Sequence, residues 1–211
     1  MDDLDYEPGL VAVTRLLTPD DLYRGYKSGL FPWSGRPARW YCPDPRAVFP
    51  LDGIYFPRRL LRTVRQGRYE VTFDQAFLAV IESCREHHRD GTWIDDAIVA
   101  CYLEFHRRGF AHSVEIWEGR DLVGGLYGVQ IHRMFAGESM FSRKRDTSKI
   151  AFYHLVEKLR SLGVMLFDAQ VPNSHTRSFG VVTVPREVFL ERLAQAVEGC
   201  GAGAISWTID G

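Results

Sequence analysis

Residues 111–142 read AHSVEIWEGRDLVGGLYGVQIHRMFAGESMFS, an almost unbroken run of strand-forming sequence. HSVEIW alternates apolar and polar residues, EGRD supplies a turn, and LVGGLYGVQIHRMFAGESMF continues as strands of a meander. Helical patterns precede and follow this run, so it must pack against helices rather than close into an all-β barrel. The sequence therefore predicts an α+β fold with a mixed, mainly antiparallel sheet flanked by helices.

The helical segments carry their own punctuation. Thr18-Pro19-Asp20-Asp21 offers an N-cap, a proline at the first helical position and early acids, and Gly29 stops a helix running to about Ser28. Thr72 and Gln75 read as a capping box opening a second helix. A third spans about Asp95 to Arg108 before Gly109, and a fourth about Ser148 to Leu162 before Gly163. VMLFDAQV is a short apolar strand, followed by a strand near 180–184 and a helix over 186–197. Between residues 31 and 50, FPWSGRPARWYCPDPRAVFP is so dense in proline that it reads as an ordered loop or lobe boundary. The glycine-rich end, GCGAGAISWTIDG, reads as loosely held.

Composition narrows the function classes. With 26 basic and 27 acidic residues among 211, the net charge of −1 excludes a wholly basic nucleic-acid coat but not a local patch. No apolar run reaches the length of a membrane helix, and MDDLDYEPG lacks the layout of a secretory signal. Cys42, Cys84, Cys101 and Cys200 are widely spaced and read as reduced thiols of a cytosolic protein. Nothing in the histidine spacing supports a metal site or a covalent mechanism.

Four segments carry candidate chemistry. In LFDAQ, Asp168 and Gln170 are alternate strand residues and so share a face. Taken alone, Asp168 serves equally as a site acid or as a cap for the turn at Pro172-Asn173. In GESMFSRKRDTSK, Glu138 and Met140 share a face, and Arg143, Lys144 and Arg145 precede a helix start where phosphate could bind. Tyr26, Trp33, Trp40, Tyr41 and Trp93 fall outside core periodicity and suit either base stacking or lobe packing. Arg58, Arg62 and Arg65 would share one face if PRRLLRTVRQ is helical. With Arg59 and Arg68, they lie in a stretch without acids between Asp52 and Glu70.

Jointly, these blocks resemble one family. FPW (31–33), WYCPDPR (40–46), GTWI (91–94), AHSVE-W with LVGGLYGV (111–129), GESMFSR (137–143), LFDAQ and N-x-H-T with S-x-G (173–180) are similar to leucyl/phenylalanyl-tRNA–protein transferases. The resemblance implies a small N-terminal lobe (1–46) and a GNAT-like acyltransferase domain (47–211) that uses no CoA and no other cofactor. It implies transfer of leucine or phenylalanine, with methionine as a further donor, from aminoacyl-tRNA to acceptor proteins beginning with Arg or Lys. A cytoplasmic monomer that marks its acceptors for degradation follows from the same likeness. It places Asp168, Gln170 and Glu138 at the chemistry and Trp33, Trp93 and Tyr26 on the 3′-terminal adenosine. Leu126, Phe135, Leu155 and Leu159 fall where the family builds its aminoacyl pocket. The arginine face, Arg58, Arg62 and Arg65, would hold the tRNA backbone. TRLL (14–17), Tyr41-Cys42 and the glycine-rich tail depart from the family pattern. An acyl-CoA-dependent N-acetyltransferase and a non-catalytic tRNA-binding protein are the competing readings. Against the first, Arg143-Lys144-Arg145-Asp146-Thr147-Ser148 lacks the glycine-rich turn that acyl-CoA would need.

Overall fold

The computed structural model describes residues 9–87, 92–198 and 207. The chain opens with β1 (Leu10–Thr14), α1 (Pro19–Lys27), β2 (Phe31–Gly35) and β3 (Ala38–Tyr41). Thr18 caps α1 as the sequence predicts, its Oγ1 accepting from Asp21 N at 3.1 Å. The three strands form a small antiparallel sheet in the order β1-β3-β2. The proline-dense stretch, read from sequence as an ordered loop or lobe boundary, thus contains the two short strands β2 and β3. Pro32 is accommodated because β2 is an edge strand, where one side needs no donor, and its pairing is interrupted between Pro32 and Gly35.

The larger unit contains β4 (Arg46–Phe49), α2 (Arg58–Arg65), β5 (Glu70–Phe73), α3 (Phe77–His87), α4 (Asp96–Arg107), β6 (Ala111–Glu118), β7 (Asp121–Ile131) and β8 (Met134–Ser142). It continues with α5 (Thr147–Ser161), β9 (Leu166–Gln170), α6 (Ser174–Ser178), β10 (Val182–Val184) and α7 (Arg186–Val197). Its strands lie in the order β10-β4-β9-β8-β7-β6-β5. Every neighbouring pair is antiparallel except β8–β9, which is parallel. The mixed, mainly antiparallel α+β architecture matches the sequence reading.

Thr72 does not cap a helix. It lies in β5, and its hydroxyl donates to the buried Glu115 carboxylate at 2.5 Å. Glu115 also accepts from Ser113 Oγ at 2.5 Å, and α3 begins only at Phe77. A partner 43 residues away thus outcompetes the local capping box. The tail departs from expectation at one described residue. Trp207 is buried, donates Nε1–H to Gln130 Oε1 at 2.7 Å and stacks on His112 at 4.3 Å. The rest of 199–211 lies outside the described residues.

Two apolar cores lie on opposite faces of the large sheet. One gathers α3, α4 and α7 against residues such as Tyr127, Val129 and Phe141. The other gathers α5 and α2 against Val114, Leu126 and Phe135. The small sheet docks through Gly35, whose N–H donates to Asp95 Oδ2 at 3.0 Å while Asp95 Oδ1 caps α4 at Ile98 N, 2.8 Å away. A Cβ on Gly35 would stand 2.7 Å from both Ala97 Cβ and Asp95 Oδ1. Gly35→Ala should therefore cost about 1–3 kcal/mol by overpacking. Urea denaturation measures it, and an unmoved midpoint would show that this contact does not hold the small sheet in place.

Candidate active site

The site arises where two strands part. β8 and β9 pair from Met134 and Leu166 to Ala136 and Asp168, and their register ends there. On its other side β8 carries a bulge: Tyr127 faces Ser139 while Gly128 faces Gly137, leaving Glu138 as the extra residue. Gly128 is required at this point, because a Cβ there would lie 2.4 Å from the Ala136 carbonyl oxygen and from Phe135 Cζ. On the β9 side, Gln170 adopts a left-handed φ of 61° and turns away from the regular strand path. Between them opens a cavity of about 590 Å³. Its lining includes Leu126 and Leu155 from one core and Tyr127 and Phe141 from the other, so it passes through the sheet at the divergence.

Glu138 is the acid in the wall of this cavity. Its Oε1 accepts from Tyr26 Oη at 2.6 Å and Gln170 Nε2 at 2.8 Å, and its Oε2 accepts from Tyr102 Oη at 3.2 Å. Burial raises its pKa, the tyrosine hydrogen bonds oppose that rise, and the group settles at about 7. Burial and the nearby Glu138 charge push both Tyr26 and Tyr102 well above the ordinary phenol range, so they stay protonated as donors.

Asp168 does not reach the cavity. It is 1% exposed and paired at both oxygens with Arg46, through Nε at 2.9 Å and Nη2 at 2.6 Å. Arg46 is itself held between the rings of Phe31 and Phe189, at 4.7 and 4.4 Å from their centroids. Asp168 Oδ1 also accepts from Gln170 N at 2.8 Å, which fixes the turned backbone of Gln170. The two residues that strand alternation places side by side thus divide: Gln170 faces the cavity and Asp168 anchors it from behind.

The apolar wall is partly the expected one. Leu126 and Leu155 line it, whereas Phe135 and Leu159 are fully buried in the core behind. Phe49, Met140, Phe152 and Phe167 take their places, and apolar periodicity alone gave no means of telling these from core residues. Trp33 and Trp93 line the mouth, while Tyr26 lies beneath Glu138 rather than at the surface of the cavity. Trp40 and Tyr41 are buried, so lobe packing is their role. His175 of α6, within the N-x-H-T block, also lines the cavity; burial and Lys149 lower its pKa, keeping it neutral at pH 7.

Of the two basic segments, one is neutralised. Arg143 pairs with Glu86, Lys144 with Glu118 and Arg145 with Asp146, so the turn before α5 has little charge left for phosphate. α2 differs: Leu60 anchors it to the core, while Arg58, Arg59, Arg62 and Arg65 are exposed. No group of His, Cys, Asp and Glu able to hold a metal occurs among the described residues.

An apolar recess that ends at a carboxylate poised near neutrality can hold an uncharged side chain beside a group able to exchange a proton. The family model for leucyl/phenylalanyl-tRNA protein transferase matches residues 48–194, and the model of that family's N-terminal domain matches residues 15–44. A leucyl/phenylalanyl-tRNA–protein transferase of Pseudomonas entomophila is 46% identical over 194 residues, covering 90% of this chain and 86% of its own. That of Salinibacter ruber is 48% identical over 86% of this chain and 81% of its own. That of Gloeobacter violaceus is 47% identical over 86% and 94%. A solved structure of AAC(6')-Iy with a CoA bisubstrate analogue aligns with a TM-score of 0.38 and 12% identity, covering 67% of this chain and 97% of that one. The chain belongs to the leucyl/phenylalanyl-tRNA–protein transferase family.

The raised pKa of Glu138 has a thermodynamic signature. The folded state keeps this proton above the ordinary 4.5 and releases it at about 7. The contribution to stability is thus fully present below about pH 4.5 and is lost as pH rises through 7. Relative to Glu138→Gln, the wild type should lose on the order of 2 kcal/mol over this range, the cavity's solvent moderating the full shift. Thermal melts of both proteins at several pH values measure the gap. A constant gap would place the carboxylate in an ordinary solvated setting.

Proposed function

We propose that this chain transfers leucine or phenylalanine, with methionine as a further donor, from aminoacyl-tRNA to the N-terminal α-amine of proteins beginning with Arg or Lys. The observation that carries the reading is the cavity itself: apolar walls from Leu126, Phe152, Leu155 and Phe167 lead to Glu138 and Gln170. The walls suit an uncharged side chain of leucine or phenylalanine size. Trp33 and Trp93 at the mouth offer faces for the 3′-terminal adenosine. The exposed arginines of α2, which packs beside α5 of the pocket wall, suit the phosphates of the same tRNA. The enzyme acts as a cytoplasmic monomer, and its product carries a new N-terminal residue that marks it for degradation.

The reaction is aminolysis of an ester. The acceptor nitrogen attacks the aminoacyl carbonyl carbon, the bond to the adenosine oxygen breaks, and that oxygen leaves as a hydroxyl. One proton must pass from the amine to the leaving oxygen. Free α-amines titrate near 7.7–8.0, so a group of pKa about 7 is matched to accept that proton and return it. Glu138 fills this role, and Gln170, whose Nε2 donates to Glu138, presents its carbonyl oxygen to the amine. Asp168 holds Gln170 in place. Alignment of the bound ester and amine supplies much of the remaining rate, worth about 7–11 kcal/mol in well-oriented systems.

Labelled Leu-tRNA and an Arg-starting peptide test the activity directly. No label in the peptide would refute it. Asp168→Asn should lower transfer by loosening Gln170 and also cost about 3–5 kcal/mol of stability, because Arg46 is left buried without its charge partner; unchanged turnover would show that this anchor does not position Gln170. Leu155→Ala should lower transfer from Leu-tRNA more than it lowers stability. Replacing Arg58, Arg62 and Arg65 by Glu should reduce the slope of log K against log salt by about 2–3. An unaltered slope would make that face ordinary surface.

A further inference from the structure

Tyr26 of α1, Tyr102 of α4 and Gln170 of β9 hydrogen-bond Glu138, and a third phenol, Tyr127 of β7, lines the same cavity. Asp168, compensated by Arg46, stands behind Glu138 on β9, and Cys84 of α3 is buried in the same core as Tyr127. Two of the phenols already donate to the carboxylate. The third does not. The Tyr127 hydroxyl is buried and has no hydrogen-bond partner among the described residues. A buried hydroxyl left unpaired is costly, so its retention calls for a state in which it is used.

The geometry around it is fixed. The Tyr127 ring meets the rings of Tyr102 and Phe77 edge-on, each at 5.8 Å, and is packed on both sides. Tyr127 pairs across the sheet with Ser139, the residue next to the bulged Glu138. An ionised carboxylate offers about four lone-pair sites. Tyr26 and Gln170 fill two of these on Oε1, and Tyr102, 2.5 Å from Tyr26 Oη and 3.2 Å from Oε2, has a single proton to share between them, so Oε2 is at least one donor short. Burial and the Glu138 charge together push the Tyr127 phenol well above its ordinary pKa, so it keeps its proton to donate.

We propose that Tyr127 is a positioning residue for Glu138, a reserve donor that the carboxylate engages when Glu138 loses its proton. This rests on the reading of Glu138 as the proton acceptor in transfer. The third phenol makes the ionised acid available near neutral pH, in a setting that would otherwise hold it protonated. Hydrogen bonds to a charged acceptor are roughly twice as strong as neutral ones, so the bond favours the ionised form.

The test is Tyr127→Phe, which removes one oxygen and keeps the ring. In carboxyl-labelled protein without substrate, the Glu138 resonance, assigned by its absence in Glu138→Gln, should titrate about one unit higher in the variant. Transfer should fall several-fold near pH 6, with the loss shrinking as pH rises to 8.5. The melting temperature near pH 5 should hold or rise, because the hydroxyl has no partner there to lose. An unmoved Glu138 titration would overturn the proposal. So would a stability loss at pH 5 as large as that at pH 8, which would make Tyr127 a packing residue. The titration needs no turnover: a wild type that transfers nothing would refute the proposed function while leaving this measurement to decide Tyr127.

Discussion

The ion pair between Arg46 and Asp168 organises this site although neither residue touches the cavity. Both are 1% exposed, and the guanidinium holds the carboxylate through two bonds while lying between Phe31 and Phe189. Burying such a pair costs several kcal/mol per ion before its attraction is counted, so its value as net stabilisation is small. Its value here is placement. It joins β2 of the small sheet, α7, β4 and β9 at one point. Through Asp168 Oδ1 it also holds the Gln170 amide, and Gln170 in its left-handed turn donates to Glu138.

From that anchor the rest follows by constraint. β8 and β9 pair for three residues and then part, and the bulge at Glu138 brings its side chain to the edge of the opening. Adjacent residues of β7, Leu126 and Tyr127, belong to opposite cores yet meet the same cavity. One face of the sheet supplies the apolar recess and the other supplies phenols. A passage through a sheet therefore joins an apolar recess to an acid whose pKa lies near neutrality.

Much of this was legible in the sequence where the cause is local. The cap at Thr18, the stop signals at Gly109 and Gly163 and the β6–β8 meander follow from neighbours within a few residues, and the structure has them. Where the cause is distant, reading failed in definite ways. Thr72 has the pattern of a helix cap, but Glu115 takes its hydroxyl. Asp168 reads as a site acid because nothing in LFDAQ reveals Arg46, 122 residues away. Phe135 and Leu159 share the hydrophobicity of Phe152 and Phe167, and only packing decides which of them borders the cavity. The β2–β3 hairpin hides in its prolines because an edge strand tolerates them. Strand spacing singled out Gln170 and Glu138 as candidates in separate segments, and the structure brings the two together by a 2.8 Å hydrogen bond.

Proton exchange at Glu138, in the wall of an apolar recess open at its mouth, is the central proposal. Single-turnover transfer from labelled Leu-tRNA, followed against pH in wild type and Glu138→Gln with saturating acceptor peptide, tests it most directly. The wild-type rate should rise through about pH 7, and the variant should be slower by roughly 10²-fold or more and lack that limb. A variant that transfers at the wild-type rate with the same pH dependence would contradict it.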